Sequence, residues 1–428
     1  MGSDPIFLFL MRVLVLGGGI IGVASAWFLR RDGHDVTLIE RQSGVALETS
    51  FANAGQISVS HSEPWASPGA PLKILQWLGK DDAPLLVRLR LEPNQWLWGL
   101  AFLRECLPGR NAVNIRACLR IAAHSRGVLQ QLRRELAIEY DHLERGIVHF
   151  YTDARHFEAS LKASALMREL GCDRRIVTAD EVVRIEPALA HMRDRIAGAD
   201  YCAEDESGDI FKFTQSLAQH AAARGVEFRF SHTVTRLIVE GGRFAAIEAV
   251  GPDGWHQRFD ADAAVVAMGS YSREILLPLG VRLPLYPGKG YSATFDVTDA
   301  TRAPTVSLTD DEYKIAASRF GNRLRVAGTA ELNGYSRELN TTRCALLTRR
   351  LEQLFPGACD YTQPRYWTGL RPVTPSNVPL IGRTRVPNLH VNTGHGTLGW
   401  TMGAGSGQLI ADVVAGRRPE VEGFPYNV

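Results

Sequence analysis

VLVLGGGIIGVASAWFL, residues 13 to 29, followed by DVTLIE at residues 35 to 40, decides the fold. An apolar β-like run leads into G-x-G-x-x-G, formed by Gly17, Gly19 and Gly22. A helix-length apolar segment beginning at Ile20 and Ile21 follows, and a second β-like run ends in Glu40, beside Arg41. This is the layout of a dinucleotide-binding βαβ unit. Gly17 permits the tight strand-to-helix turn, Gly19 lets backbone approach a pyrophosphate, and Gly22 lets helix and strand pack closely. Unpaired N–H groups at the start of the helix favour phosphate there. Glu40 can accept hydrogen bonds from both ribose hydroxyls, and its charge repels a 2′-phosphate. FAD or NAD is therefore favoured over NADP.

A chain of 428 residues accommodates two domains, and 45% apolar content is ordinary for a globular protein. The net charge of +2 comes from scattered basic residues and gives no footprint for a nucleic-acid partner. Cysteines at 106, 118, 172, 202, 344 and 359 form no C-x-x-C pair and no metal-ligand spacing. Buried or inert thiols are expected, with no metal site. Residues 13–29 are uncharged but read as strand, turn and helix; residues 386–411 are uncharged but rich in Gly, Thr and Asn. Neither reads as a transmembrane helix. MGSDPIFLFL, residues 1–10, has no basic start and no small-residue cleavage site, and reads as an appended leader ahead of Met11, or as a native extension of the first strand.

After the opening unit comes a loop rich in Ser, Gly, Ala and Pro, then helical patterning from about Leu72 to Leu136. From Asp209 a helix, FKFTQSLAQHAAARG, precedes the hairpin VTRLIVEGGRFAAIEAV and the strand DAAVVAMGSYS, which ends at Gly269. Mostly short strands follow between Leu283 and Pro379. The fold class is α/β, α+β overall: a Rossmann-like nucleotide domain (11–65, 176–281 and 380–428), interrupted by a mixed antiparallel-sheet and helix substrate domain (66–175 and 282–379) with a helical insertion. The cleft between such domains is where ligands usually bind.

Four blocks point further: the glycine turn, TSFANAGQIS at 49–58, LYPGKGYS at 285–292, and WTGLRPVTPSNVPLIG with NTGHGTLGWTMGAGSG between 367 and 407. In this order they resemble the FAD-dependent amine oxidoreductases related to D-amino-acid oxidase and glycine oxidase, and within them the bacterial D-amino-acid dehydrogenase family. The resemblance implies non-covalent FAD. It implies that Ser50, Asn53, Ala54, Gly55 and Gln56 wrap the flavin, and that Val234 holds the adenine end. It also implies a C-terminal flavin loop of Gly394, His395, Gly396, Gly399, Trp400 and Thr401. Arg371 matches the arginine that clamps a substrate carboxylate, a task suited to a planar guanidinium. Tyr313 matches a tyrosine donating to the same carboxylate, and Tyr286, Lys289 and Tyr291 fall near the flavin or cleft; a buried structural role is the alternative for each.

The implied activity is oxidative deamination of D-amino acids, such as D-alanine, to 2-oxo acids and ammonia by hydride transfer to FAD. Electrons then pass to a quinone or respiratory carrier, in the bacterial cytoplasm or peripherally on the inner face of the inner membrane. LLVRLRLEPNQWLWGLAFLREC, residues 85–106, reads either as a membrane-surface segment or as a core helix with solvated arginines. Other readings remain: a flavin oxidase or dehydrogenase of glycine, sarcosine, D-proline or D-hydroxyproline; an NAD-dependent dehydrogenase; and a non-catalytic nucleotide-binding module.

Overall fold

A computed structural model describes residues 10–428, so the leader reading falls, except at Leu10, outside the described residues. The opening motif builds the centre of a six-stranded sheet. Its strands run in the order Leu380–Arg383, Leu389–Thr393, Ala263–Val266, Arg12–Leu16, Asp35–Ile39 and Glu227–Arg229. All neighbours are parallel except the first pair, which is antiparallel. Arg12–Leu16 is covered on both faces, which is why it reads as a continuous apolar run rather than an alternating one.

The helix Ile20–Arg31 carries the crossover between the first two strands. It lies so close to the turn that a Cβ on Gly22 would overlap the carbonyl oxygen of Gly17, while Gly17 itself sits at φ 110°. The C-terminal helix Gly399–Val414 fits against it through small residues: Gly403 faces Ile20, Gly407 faces Ala24, and Gly405 faces Ser125 of the long helix Pro108–Leu136. Such residues let helix backbones approach closely. The glycine spacing in WTMGAGSG thus has a packing cause.

Core packing corrects one domain assignment and strand pairing another. The long helix, expected in the substrate domain, buries Ile115, Ile121 and Leu129 in the same core as Val13 and Val15 of the nucleotide sheet. Strands Arg175–Val177 and Gly198–Cys202 pair in the other, nine-stranded sheet, so the stretch 175–202 belongs with that sheet and not with the nucleotide-binding segment that was expected to begin at 176. Sheet membership here is set by pairing with Ile147–Tyr151, a partner distant in sequence.

The nine-stranded sheet runs Arg365–Val373, Tyr286–Asp296, Arg323–Leu332, Ile315–Phe320, Ser307–Asp310, Ile147–Tyr151, Gly198–Cys202 and Arg175–Val177, with Leu85–Val87 also paired to Arg323–Leu332. The expected hairpin is present, Thr233–Glu240 and Arg243–Val250, closed by Gly241 and Gly242 at φ 57° and 79°. Two consecutive positive-φ residues match the twist of the strands that they join.

Candidate active site

A cavity of about 420 Å³ opens at the carboxyl ends of the central parallel strands, where open α/β sheets bind ligands. Gly17, Gly19, Ile20, Ile21, Glu40, Arg41, Ser50, Asn53, Val234, Gly269, Arg371, His395, Gly396, Gly399 and Trp400 all line it. Gly22 and Gly394 do not. Gly22 lies beneath the turn against Gly17, and Gly394 turns the chain at φ 82° with its α-carbon against Thr374. Ala54, Gly55, Gln56 and Thr401 line a second cavity of about 800 Å³, which shares Asn53, Arg371, Thr397 and Trp400 with the first. The segment expected to wrap one ligand therefore straddles two chambers.

Local contacts explain the first chamber. Ser50 Oγ accepts a hydrogen bond of 3.2 Å from the N–H of Ile20, capping the helix from a residue outside it. Burial pushes the Glu40 carboxyl up, opposed by hydrogen bonds from the N–H groups of Gln42 (2.7 Å) and Gly18 (2.6 Å). The Arg41 guanidinium stacks 3.9 Å from the centre of the Tyr271 ring and pairs with Glu48. His395 is buried, contacts Ser406 Oγ at 2.8 Å through Nε2, and is pushed by burial down to about 3. It is a neutral imidazole at neutral pH. Thr401 Oγ1 accepts from the N–H of Ser58 at 3.1 Å, tying the C-terminal helix to the loop at 49–58.

Arg371 stands where the chambers meet. Its guanidinium donates to the carbonyl of Thr329 at 2.9 Å, and among the described residues no ion pair includes it. Burial, with the nearby charge of Arg343, pushes its pKa down to about 10. The strand opposite makes room for it: a Cβ on Gly290 would occupy the space of the guanidinium. Around this point Thr329 and Ala330 oppose the single residue Gly290 in a β-bulge, and Thr329 adopts φ 51°, rare for a β-branched residue.

Four expected site residues lie elsewhere. Tyr291 donates to Glu331, and Lys289 pairs with the same carboxylate at 3.1 Å while donating to the Glu338 carbonyl. Tyr286 donates to Glu92 at 3.1 Å and accepts from the N–H of Gly334. These three fill buried positions of a fully covered strand and line neither chamber. Tyr313 packs against the core of the large sheet with its ring 4.3 Å from the Arg350 guanidinium, also outside both chambers. Within LYPGKGYS, the residue that shapes the site is Gly290, which sequence reading passed over. It also passed over His61, His149, Asp311 and Lys314, which line the second chamber from segments with no motif spacing between them.

The outer wall of the second chamber is apolar, with Ile74, Trp77, Leu89, Trp96, Leu100 and Leu103. The helix Pro93–Glu105 buries Trp98 and Phe102 but exposes Trp96, Leu97, Leu100 and Leu103, and Leu72, Leu75 and Leu78 are exposed nearby. One face of this helix is therefore core, with Arg88, Arg90 and Arg104 exposed as the core-helix alternative expected, and the other face is apolar and exposed. Among the described residues, no helix is long and apolar enough to cross a membrane.

Residues 12–413 match the family model described as FAD dependent oxidoreductase. The chain is 56% identical to a D-amino acid dehydrogenase of Dechloromonas aromatica over 97% of this chain and 99% of that one. It is 48% identical to a D-amino acid dehydrogenase of Paramagnetospirillum magneticum over 95% and 96% of the two chains. Its fold is similar to that of glycine oxidase from Geobacillus kaustophilus, with a TM-score of 0.74 and 21% identity over 97% of this chain and 98% of that one. With a family match that takes in both the glycine turn and Arg371, this chain belongs to the FAD-dependent oxidoreductases.

Proposed function

We propose that this enzyme oxidises D-amino acids to 2-imino acids, which hydrolyse to 2-oxo acids and ammonia, and that its electrons leave to a quinone or respiratory carrier. The observation that carries this reading is Arg371: a guanidinium with no acidic partner among the described residues, set where the glycine-turn chamber meets the second chamber. Relatives named D-amino acid dehydrogenase, at 56% and 48% identity, support the substrate class.

The first chamber suits FAD. Positive φ at Gly17, the bare wall at Gly19, where a Cβ would press on Ser50 Oγ at 3.4 Å, and the carboxylate of Glu40 at the strand tip fit a dinucleotide better than a compact ligand. The glycine turn would hold the pyrophosphate, Glu40 a ribose, the backbone at Val234 the adenine end, and Ser50, Asn53, His395 and Trp400 the flavin end. Bound there, the flavin supplies the hydride acceptor.

The residues of the chain hold the substrate. Arg371 binds the carboxylate through paired N–H donors, and its tether to the Thr329 carbonyl limits how far the fork swings. The apolar wall suits an aliphatic side chain. Neutral His395 adds no positive charge beside the cofactor. The exposed leucines and tryptophan on the rim, with Arg88, Arg90 and Lys73 nearby, support peripheral contact with a membrane from which an apolar electron carrier is reached.

Purified protein should be yellow and should be bleached anaerobically by D-amino acids. A panel of D- and L-amino acids, glycine, sarcosine and D-proline, each assayed with a dye and with oxygen, tests the reading; turnover only of L-isomers or of secondary amines overturns it. Gly290→Ala should keep FAD but lower kcat/KM by about 10²-fold, the scale expected when a clamp is displaced by an ångström. Unchanged kinetics in that variant would remove Gly290 from the site.

A further inference from the structure

The second chamber holds a histidine pair, buried His149 and half-buried His61, that carboxylate clamping does not use. His61 ends the short turn Val59–His61, His149 lies in Ile147–Tyr151, and Asp311 follows Ser307–Asp310. All three line the chamber that contains Arg371. His149 Nδ1 is 3.0 Å from His61 Nδ1, and His149 Nε2 is 3.2 Å from Asp311 Oδ1.

The direction of these bonds can be assigned from the network. Burial alone would raise the Asp311 carboxyl, but its hydrogen bond from His149 and its ion pair with Lys314 hold it below the usual carboxylate range. An ionised carboxylate only accepts, so His149 Nε2 carries the proton. In the neutral pair His149 Nδ1 then accepts, His61 Nδ1 donates, and the lone pair of His61 falls on Nε2, which makes no hydrogen bond to any described residue. Burial, the largest cause, aided by the charges of Arg174 and Lys314 and opposed by Asp311, keeps His61 well below its ordinary value. It remains an acceptor.

The turn that carries His61 is clamped by buried charges. The Asp205 carboxylate accepts from the N–H of Val59 at 2.9 Å and from Ser60, and Arg174 donates to the Ser60 carbonyl at 3.1 Å while pairing with Asp200. The same network reaches the clamp. The N–H of Thr329 donates to the Lys314 carbonyl at 3.1 Å, the Thr329 carbonyl accepts from Arg371, and Lys314 pairs with Asp311. One strained peptide thus joins the two polar ends of the chamber, and the buried Thr329 Oγ1 beside it has no hydrogen-bond partner among the described residues.

We propose that His61 Nε2 accepts a hydrogen bond from the α-amino group of the substrate and, with Arg371 on the carboxylate, sets which enantiomer is oxidised. Exchange of enantiomers with these two groups fixed swaps the Cα hydrogen and the side chain, so only one isomer turns its hydrogen toward the chamber of the glycine turn. His61 is then a specificity residue, held by His149 and Asp311 as positioning residues. This rests on the amino-acid oxidation reading.

Binding of two ligands without a Cα hydrogen to the FAD-loaded enzyme tests it: 2-aminoisobutyrate, which has the amine, and pivalate, which has a methyl group in its place. In His61→Ala, 2-aminoisobutyrate should bind about tenfold more weakly by calorimetry, the scale of one buried hydrogen bond, and pivalate unchanged. The D-over-L ratio of kcat/KM should fall with it. His61→Gln, whose side chain keeps a carbonyl acceptor, should recover part of both, and Asp311→Asn should lose part of both; these variants serve if the alanine form does not fold. Equal weakening of the two ligands, or an unchanged enantiomer ratio in variants of an active enzyme, overturns the inference. If the wild-type flavin is reduced by no amino acid, the reading beneath falls with it, which is a distinct outcome.

Discussion

Arg371→Ala should lose about 10²- to 10⁴-fold in kcat/KM for D-amino acids while retaining a full complement of FAD. The magnitude follows from what the guanidinium does: removing one partner of a desolvated charge pair typically costs about 3–5 kcal/mol, and each factor of ten in rate corresponds to about 1.4 kcal/mol. The loss should show in binding as well as turnover, because the carboxylate is held before and during reaction. The sign on stability is opposite to that of an ordinary buried contact. With no acidic partner among the described residues and a pKa pushed down to about 10, Arg371 is a cation that the fold holds at a cost, so the alanine variant should melt no lower than wild type. Arg371→Lys should fall between, since an ammonium retains charge but not the planar fork. Flavin content, kinetics on D-alanine and a thermal melt check all three; normal turnover in the alanine variant would remove the clamp and with it the main support for the substrate class.

The parts of this molecule that could be read from the sequence are those fixed by neighbours along the chain. The glycine turn, the doubly covered strand before it and the acid at Glu40 each follow from a residue type at a short spacing. So does the Gly241–Gly242 hairpin, whose positive-φ pair is a local requirement. The parts that were misread depend on distant partners. Lys289 and Tyr291 look like site residues until Glu331, across the paired strand, takes both. Arg175–Val177 has no pattern of its own and joins the large sheet only because Gly198–Cys202 is already there. Gly290 carries no side chain by which to announce itself, and its role appears only when Arg371 fills the space above it. His61 and His149 meet across the chamber from segments with no shared motif, joined by geometry alone. The resemblance to amine oxidoreductases reached Arg371 because that residue is embedded in a recognisable block. It could not reach the histidine pair.

Gly22→Ala should give a colourless protein of lowered stability, the largest effect expected from adding one methyl group. The added Cβ would overlap the Gly17 carbonyl oxygen, and three constraints prevent relief. Gly17 is held at φ 110°, and its own α-carbon faces the Ala267 carbonyl so closely that a Cβ there would come within 2.6 Å, so the turn cannot move toward that strand. The helix cannot move away, because Gly403 and Gly407 of the C-terminal helix press on Ile20 and Ala24 from the other side. A shift of the helix start would also break the bond from Ile20 N–H to Ser50 and misplace the amides facing the first chamber. Overpacking of this kind costs about 1–3 kcal/mol, occasionally more, and for a chain of this size each kcal/mol lowers Tm by about 2–4 °C or less. The loss of cofactor should be larger in effect, at least about 10²-fold in FAD affinity, since pyrophosphate binding depends on the close approach that the glycines permit. Gly127→Ala is the matched control: it lies on an exposed face of the long helix, an added Cβ there meets nothing within 4 Å, and alanine favours a helix over glycine by about 1 kcal/mol. That variant should stay yellow and melt at or above the wild-type temperature. Flavin absorbance per chain and thermal melting of the two variants side by side decide the matter, and a yellow, stable Gly22→Ala would mean that the glycine turn does not carry the cofactor.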